Sequence, residues 1–339
     1  MDFPRERIEE KIERIEQSLL HLTVHETQCM LCPHECRVNR SSGKRGFCES
    51  GSEASVSHAL LHFGEEPALS GCQESPSDSN RLTVSRTGSG TVFFTGCNLK
   101  CLFCQNYQLS WLCQGSELDD TMLAQTFLDL QGKGALNINL VSPMHMIIPI
   151  LKGLKKAYEG GLCLPLVYNT NAYEKVSTLS QLEGIVDIFL PDLKYYSPLL
   201  SQRFSHTADY FEQAGQAVKE MFRQQPKLLF DENQVARAGL IIRHLVLPDQ
   251  VTDSLALLDW TAENISVEIG LSLMSQYVPC FRAPEEIQKN LTDKEYKQAV
   301  HRAEDLGFEM LFIQPELFDT SEHLVPDFNQ IDPFKWGKK

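Results

Sequence analysis

The chain has 339 residues, 42% of them apolar and 22% charged, which is ordinary for a soluble globular protein with one large core and at most a small additional module. With 31 Lys and Arg against 45 Asp and Glu, the net charge of −14 disfavours nucleic acid as a direct partner. No apolar run reaches the roughly 18 residues of a membrane span, and the N-terminus lacks the apolar stretch of a signal peptide, so we expect a cytoplasmic protein without a membrane partner.

Eleven cysteines is a high number for a reducing compartment, where disulfides are rare. Seven of them form two tight clusters: Cys29, Cys32, Cys36 and Cys48, followed by Cys97, Cys101 and Cys104. Clustering of this kind predicts ligation of a metal or an iron–sulfur cluster. The scattered cysteines are interpreted as small buried apolar residues: Cys72, Cys113, Cys163 and Cys280.

The N-terminal segment, residues 1–28, contains an amphipathic pattern over Arg5–Leu22 that predicts a helix packed on the domain it precedes. Residues 29–80 are predicted to form a small cysteine-rich module and a connecting loop. Its four cysteines have the spacing C-x2-C-x3-C-x11-C, which suits a closed tetrahedral zinc site or a fully ligated iron–sulfur cluster. The spacing leaves both open. His34 and Glu35, between the second and third cysteines, are interpreted as loop surface.

Residues 81–314 alternate short apolar strands with amphipathic helices, which predicts an α/β fold with a parallel sheet. Seven strands are predicted: Thr91–Thr95, Asn137–Val141, Leu164–Thr170, Val186–Leu190, Leu240–Leu247, Val267–Leu273 and Glu309–Gln314. Helices are predicted between them: Asp119–Leu130, Met144–Tyr158, Glu174–Leu182, about 208–223, Asp253–Asn264 and Asp293–Leu306. The length favours a partial (β/α)6 TIM-type barrel with six core strands, and a doubly wound sheet is the alternative. Residues 315–339 form a tail that we expect to dock across the core.

Cys97, Cys101 and Cys104, the triad, follow the first predicted strand with the spacing C-x3-C-x2-C. Gly96 allows a sharp turn at the strand end. Three thiolates leave one iron of a four-iron cube without a protein ligand, whereas electron-transfer clusters normally take four cysteines. An open iron indicates a substrate-binding cluster. The alternatives are a zinc site completed by a distant histidine, or three buried thiols.

This motif, with Phe103 before its last cysteine, resembles the radical S-adenosylmethionine (SAM) superfamily, and within it the uncharacterised relatives of pyruvate formate-lyase activating enzyme. The resemblance implies a [4Fe–4S] cluster on the triad whose open iron binds SAM. It also implies reductive cleavage of SAM to methionine and a 5′-deoxyadenosyl radical, with reduced flavodoxin or ferredoxin as the electron donor. The radical would act on a glycyl-radical-type partner protein or on another substrate.

Further positions carry the same resemblance. Asp192-Leu193-Lys194 is similar to an element near the SAM site of activating enzymes, and Asn169-Thr170-Asn171 stands where they carry Asp-Thr-Asn. The resemblance therefore implies that Asn169, Thr170, Asp192 and Lys194 lie near the methionine end of SAM. The usual Gly-Gly-Glu is absent, and Ser142-Pro143-Met144-His145 replaces it, so Ser142 and His145 become candidate SAM contacts.

Polar side chains inside apolar strands give the remaining candidates for contact with SAM or substrate: Arg243, His244, Gln276 and Tyr277. Residues 85–90 are rich in glycine but lead into a strand, so we interpret them as a turn instead of a phosphate loop. Residues 62–67, with paired glutamates, are interpreted as a solvated turn. The competing function is a zinc-stabilised, non-catalytic binding protein on the same fold.

Overall fold

The computed structural model describes residues 5–71, 87–314 and 324–335. Its strands are β1 Ala54–His62, β2 Gly88–Phe94, β3 Ser116–Leu118, β4 Ala135–Val141, β5 Leu166–Thr170, β6 Ile188–Pro191, β7 Leu229–Phe230, β8 Ala236–Leu245, β9 Gly270–Met274 and β10 Met310–Ile313. Its α-helices are α1 Arg5–Leu22, α2 Pro67–Ser70, α3 Tyr107–Ser110, α4 Asp120–Gly132, α5 Ile147–Glu159, α6 Val176–Leu179, α7 Pro198–Ser205, α8 Tyr210–Gln224, α9 Val251–Asn264 and α10 Asp293–Asp305. No helix in the three described ranges combines the length and apolar character needed to cross a bilayer.

The sheet is open, and its parallel strands follow one another in chain order. The sequence of neighbours is β2-β4-β5-β6-β8-β9-β10, with every adjacent pair parallel. A doubly wound sheet reverses its strand order at a switch point, and this sheet does not. Continuous winding in one direction is the topology of an α/β barrel that does not close, so the predicted partial barrel is confirmed, with seven parallel strands instead of six.

Each of the seven predicted strands corresponds to one of these parallel strands, with shifted ends. The sequence did not predict β1 and β3, which add an antiparallel edge beside β2, or the two-residue β7. β1 places residues 54–62 in the sheet of the barrel, although they fall inside the range predicted for the cysteine-rich module.

Helix ends follow their capping residues. Asp119 caps α4 by accepting hydrogen bonds from the backbone N–H groups of Thr121 and Met122. Thr292 and Glu295 form a capping box at the start of α10. The predicted helix Arg5–Leu22 is confirmed as α1, and it packs against α5. Its buried Lys11 forms an ion pair with Asp187 (Nζ–Oδ2 2.5 Å) next to β6.

The interior of the partial barrel is filled by the segment that follows β1. We call residues 65–70 the inner segment. Ala68 and Leu69 of α2 pack on the inner faces of β5, β6 and β8 through Val167, Ile188 and Ile241. Asn137, on β4, donates a hydrogen bond to the carbonyl of Leu69 (2.9 Å). The prediction of a solvated turn over residues 62–67 is therefore wrong, because the glutamates of this segment are buried inside the sheet.

The described part of the C-terminal tail, residues 324–335, docks beside β2, six strands along the sheet from β10. Phe328 and Phe334 are buried against Phe93 of β2 and Leu109 of α3. The side chain of Gln108 accepts a hydrogen bond from the backbone N–H of Phe328 (2.6 Å). The predicted docking is confirmed for residues 324–335, whereas Phe318 and Trp336 of the predicted tail lie outside the described residues.

Candidate functional site: the triad and the module beside it

The triad lies in the loop between β2 and α3, at the carboxyl end of the first parallel strand. Cys97 and Cys101 are buried and Cys104 is half-buried. The loop is anchored from two sides by backbone hydrogen bonds of Leu102, which donates to the carbonyl of Phe204 (2.8 Å) and accepts from the N–H of Arg282 (3.0 Å). Barrel enzymes gather their chemistry at this end of the strands.

Hydrogen-bond donors point at two of the three sulfur atoms. The backbone N–H of Leu99 and the Nδ2 of Asn171 lie 3.3 and 3.4 Å from the Sγ of Cys97. The hydroxyl of Ser110 lies 3.2 Å from the Sγ of Cys104. Donors in these positions stabilise a thiolate, which is the ligand form of cysteine. The triad loop therefore contains groups that would stabilise cysteine thiolates.

Without a bound cation, burial favours the protonated form of Cys97 and Cys104. Burial raises the pKa of Cys97 to about 12 and that of Cys104 to about 11, and the charges of the neighbouring triad cysteines add to the effect. The three sulfurs are therefore close enough to influence one another electrostatically. Metal binding would release their protons, so occupancy of the loop depends on pH.

Lys194 brings a positive charge to the triad from the end of β6. Burial opposes its ionisation, but the carboxylate of Asp192 and the neighbouring Cys101 raise the pKa of Lys194 above its ordinary value. Its Nζ lies 2.7 Å from the Oδ2 of Asp192. The structure thus brings two of the residues implied by the resemblance, Asp192 and Lys194, to the cysteine loop.

The cysteine-rich module packs directly on the triad loop. Gly96 has a φ of +76°, and a Cβ there would lie 2.2 Å from the carbonyl oxygen of Cys48, so a side chain does not fit. The Nε2 of His34 lies 2.7 Å from the carbonyl oxygen of Asn98, between the first two triad cysteines. Asn171 donates to the side-chain oxygen of Asn98 (2.8 Å). The interpretation of His34 as loop surface is therefore wrong, since it bonds the triad loop.

The four module cysteines lie close enough to influence one another electrostatically, and a buried arginine lies beside them. Burial raises the pKa of Cys29, and the nearby Cys36 and Cys48 raise it further. The positive charge of Arg40 partly opposes this increase. One guanidinium nitrogen of Arg40 lies 3.4 Å from the Sγ of Cys48. Gly46 lets the connecting loop pass Cys36, because a Cβ at this position would lie 2.4 Å from its sulfur.

Within the described ranges, no three His, Cys, Asp or Glu side chains already converge as they would around a metal ion. Metal ligation by the seven cysteines therefore stays a prediction. The triad's donor set nevertheless fits a cluster. It offers soft ligands, N–H and O–H groups aimed at sulfur, and a nearby cation, which are the features that stabilise iron–sulfur centres. In a four-iron cube each cysteine binds its own iron, so its ligands converge less tightly than those of a single ion.

Asn169 and Thr170 are adjacent in the sequence, but their side chains lie on opposite faces of the sheet. Asn169 is in register with Val141 and Leu190 and lies on the inner face of the sheet. Its backbone oxygen accepts a hydrogen bond from the N–H of Ser142 (2.7 Å), so Ser142 lies beside it. The hydroxyl of Thr170 instead bonds Glu174 on the outer, helix-covered face. Asn169 and Ser142 thus lie at the mouth of the barrel, and Thr170 does not face it.

Other candidate residues are engaged in internal contacts. The Nε2 of His145 lies 2.9 Å from the carbonyl of Thr95, and burial lowers the pKa of His145 to about 4. His244 is buried on the outer face, bonding the carbonyl of Leu193 (2.7 Å) and the hydroxyl of Ser254 (2.8 Å). Both histidines are neutral at physiological pH and support backbone next to the site.

Arg243 lies on the inner face and forms ion pairs with both glutamates of the inner segment, Glu65 and Glu66. Burial opposes this ionisation, and the two carboxylates raise the pKa of Arg243 well above its ordinary value. Asn139 donates a further hydrogen bond to Glu65 (3.0 Å). The guanidinium is thus occupied by a buried network that the sequence did not reveal. Its contact with SAM or substrate stays a prediction.

The end of β9 supports the triad from the other side. The carbonyl of Gln276 accepts a hydrogen bond from the side chain of Gln105, next to Cys104 (3.0 Å). The ring of Tyr277 packs edge-on against Phe103, with centroids 5.8 Å apart, and its hydroxyl donates to the carbonyl of Ile287 (2.7 Å). Gln276 therefore reaches the triad loop, whereas Tyr277 is part of the packing beneath it.

Sequence reasoning missed Cys280 as a neighbour of the triad. Its Sγ lies 3.5 Å from the carbonyl oxygen of Phe103, and burial together with nearby Cys104 raises the pKa of Cys280 to about 12. It follows Gln276 and Tyr277, already candidate site residues, and this proximity in sequence was the signal that could have identified it. Its position raises the question of a fourth sulfur ligand.

No protein-family model matches the chain. An uncharacterised protein of Methanocaldococcus jannaschii, MJ0674, is 28% identical over 319 residues, which cover 89% of this chain and 83% of that protein. Among solved structures, anSMEcpe with bound AdoMet has 15% identity and a TM-score of 0.42, covering 65% of this chain and 61% of its own. Streptococcus suis SuiB bound to S-adenosylmethionine has 15% identity and a TM-score of 0.44, covering 65% and 48%.

Methylornithine synthase (PylB) has 14% identity and a TM-score of 0.42, covering 66% of this chain and 70% of its own. The chain thus spans less than two thirds of the length of anSMEcpe and SuiB. With identities this low and TM-scores below 0.5, these similarities identify no activity for the chain.

Proposed function

We propose that this protein is a radical SAM enzyme that holds a [4Fe–4S] cluster on Cys97, Cys101 and Cys104. The observation that carries the proposal is the triad loop itself. It lies at the carboxyl end of the first parallel strand, it is buried, and N–H and O–H donors point at its sulfur atoms. A cluster bound there supplies the electron that cleaves SAM to methionine and a 5′-deoxyadenosyl radical.

The residues around the loop have separable roles under this proposal. Leu99, Asn171 and Ser110 hold the sulfurs and stabilise their ionised form. Lys194, paired with Asp192, offsets the negative charge of bound thiolates. Asn169 and Ser142 line the mouth, where they offer polar groups for the methionine end of SAM. The four module cysteines hold a second metal, zinc or an iron–sulfur cluster.

The acceptor of the radical is a partner protein, as in glycyl-radical activation, or another substrate. In either case the first product is the same, so 5′-deoxyadenosine formation tests the proposal without knowledge of the substrate. The competing function, a zinc-stabilised binding protein, makes no 5′-deoxyadenosine. The protein is purified without oxygen, its iron and sulfide are counted, and SAM is added with dithionite.

Two cysteine variants sharpen this experiment. Cys101→Ala should abolish 5′-deoxyadenosine formation and lose the iron of the triad, while the module keeps its metal. Cys280→Ser is the matched control, because it removes a neighbouring thiol outside the motif. It should keep the iron content and SAM cleavage of the wild type.

Absence of 5′-deoxyadenosine from an iron-loaded wild type would refute the proposal. Loss of iron in Cys280→Ser as well would indicate four sulfur ligands and no open iron. Loss of metal from both sites in Cys101→Ala would contradict the division into two separate sites.

A further inference from the structure

A partly exposed aromatic patch lies directly over the triad loop. We call Tyr107, Trp111, Leu112, Phe281 and Arg282 the Trp111 patch. Leu112 is 54% exposed, Arg282 is exposed, and the three aromatic side chains are half-buried. The rings of Tyr107 and Phe281 stack with centroids 4.8 Å apart and 9° between their planes. Apolar surface exposed in one place, with a charged residue at its edge, is typical of an interaction site.

The patch is one side chain away from the triad. The indole Nε1 of Trp111 donates a hydrogen bond to the carbonyl of Cys101 (3.0 Å). The backbone N–H of Tyr107 donates to the carbonyl of Cys104 (3.1 Å), and the backbone N–H of Arg282 bonds Leu102 between them. A molecule seated on the patch is therefore separated from the cysteine loop by a single layer of residues.

The patch is locally positive in an acidic molecule. Lys100 and Arg282 both lie near the Trp111 ring, with their charged atoms 5.5 and 5.2 Å from its centroid. Neither makes an ion pair with any residue that the structure describes. The following turn carries Glu285 and Glu286, and Glu286 is already paired with Arg203 (2.8 Å). Within the patch itself, Arg282 is therefore an exposed and unpaired positive charge, whereas the whole chain carries −14.

We infer that the Trp111 patch is the docking surface for a small acidic one-electron carrier protein of the flavodoxin or ferredoxin class. An acidic carrier is repelled by most of this molecule, so productive encounter needs a local surface of opposite charge. The exposed Arg282 supplies the unpaired cation, and the aromatic side chains supply contact area close to the triad. This inference rests on the proposed function, because it assumes a reducible cluster on the triad.

The test compares two reductants on the cluster-loaded enzyme. Arg282→Glu reverses the charge at the patch, and Leu112→Glu places a carboxylate on its apolar surface. Reduction by purified reduced flavodoxin, followed anaerobically by stopped-flow absorbance, should slow by roughly tenfold in each variant at low ionic strength. The difference from the wild type should shrink as salt is added, because screening weakens exposed charge interactions. Dithionite is a small anion that needs no docking surface, so its rate should change much less than that of flavodoxin in both variants.

Lys133→Glu is the matched control. Lys133 is exposed and lies between α4 and β4, at the opposite end of the barrel from the triad. Its substitution changes the net charge by the same amount as Arg282→Glu. It should leave reduction by flavodoxin within about twofold of the wild type. Equal slowing in Lys133→Glu would mean that total charge, and not the patch, controls the reaction, and it would overturn the inference.

The remaining outcomes are also decisive. Wild-type rates with flavodoxin in both patch variants would place the electron donor elsewhere and refute the docking surface, even if SAM cleavage is intact. If dithionite also fails to reduce the Arg282→Glu variant, the substitution has damaged the triad loop. The flavodoxin rate of Leu112→Glu then tests the docking surface by itself. Failure of wild-type protein to form 5′-deoxyadenosine with dithionite would refute the proposed function instead, so the two failures are distinguishable.

Discussion

Glu174 is a buried carboxyl group that no cation within the described residues pairs. It accepts a hydrogen bond from the hydroxyl of Tyr168 (3.0 Å) and bonds Thr170. Burial raises the pKa of Glu174 from 4.5 to about 8, although these two hydrogen bonds oppose the shift. Glu174 is therefore protonated in the folded protein at neutral pH. Its neutral carboxyl group is buried against Tyr168 and Thr170 of β5.

This shift predicts the pH dependence of stability. Since the folded state holds the proton up to about pH 8 and the unfolded state releases it near 4.5, the free energy of unfolding should fall as the pH rises through that window. Glu174→Gln keeps the hydrogen-bonding shape without a titrating proton. It should flatten the decrease between pH 5 and pH 8, measured by denaturant unfolding of the protein as purified.

Glu13→Gln is the control, because it removes an exposed carboxyl on α1. It should reproduce the wild-type pH profile. A Glu174→Gln profile as steep as that of the wild type would show that another group is responsible.

Among the structural elements, the inner segment is unusual because it places two glutamates inside a parallel sheet. Arg243, 177 residues later in the sequence, is the cation that pairs with both of them. Removing one partner of a buried ion pair leaves an uncompensated charge, which typically costs about 3–5 kcal/mol. The stability of the barrel interior therefore depends on this contact between β8 and the segment after β1.

We expect Arg243→Met to lower the free energy of unfolding by about 3–5 kcal/mol, measured by chemical denaturation. Adding Glu66→Gln to that variant should restore part of the loss, because one unpaired charge disappears. If the double variant is no more stable than Arg243→Met, the two side chains are not energetically coupled in this way.

The difference between what the sequence predicted and what it missed has a physical cause. The seven parallel strands and α1 are encoded locally, by apolar runs and by isoleucines on one helical face, so they were predictable. The burial of Glu65 and Glu66 depends on a cation far away in the sequence. The contacts of His34 with Asn98, and of Cys280 with the triad loop, likewise join residues more than 60 positions apart. Local patterns contain no information about such pairs.

At the scale of the whole molecule, the described part of the C-terminal tail docks far along the sheet from the last strand. β10 is at one edge of the sheet, and residues 324–335 dock beside β2 and α3. The side chain of Gln105 donates to the carbonyl of Leu324 (2.9 Å), and that of Gln108 donates to Asp327 (3.2 Å). The helix that follows the triad is therefore fixed in part by the far end of the chain.

Ending the chain at residue 323 should loosen α3. Its backbone amides should exchange with solvent faster, because Gln105 loses its bond to Leu324, Gln108 loses its bonds to the tail, and Phe93 loses the rings of Phe328 and Phe334. Hydrogen–deuterium exchange read by mass spectrometry measures this, with α9 as the internal reference, which should not change. Unchanged exchange in α3 would show that the tail does not hold it.

The sequential strand order has a consequence for how the protein is made. Both cysteine clusters lie in the first third of the chain, and the second of them ends at Cys104. The strand before the triad, β2, pairs with β1, which is synthesised before it. The residues that enclose Phe103 of the triad come later: Tyr195, Phe204 and Tyr277. Because domains fold as the chain emerges from the ribosome, the cysteines of both clusters are exposed before these later residues are made. Under the proposed function, a metal or cluster would therefore reach them most easily on the nascent chain, before the last strands are in place.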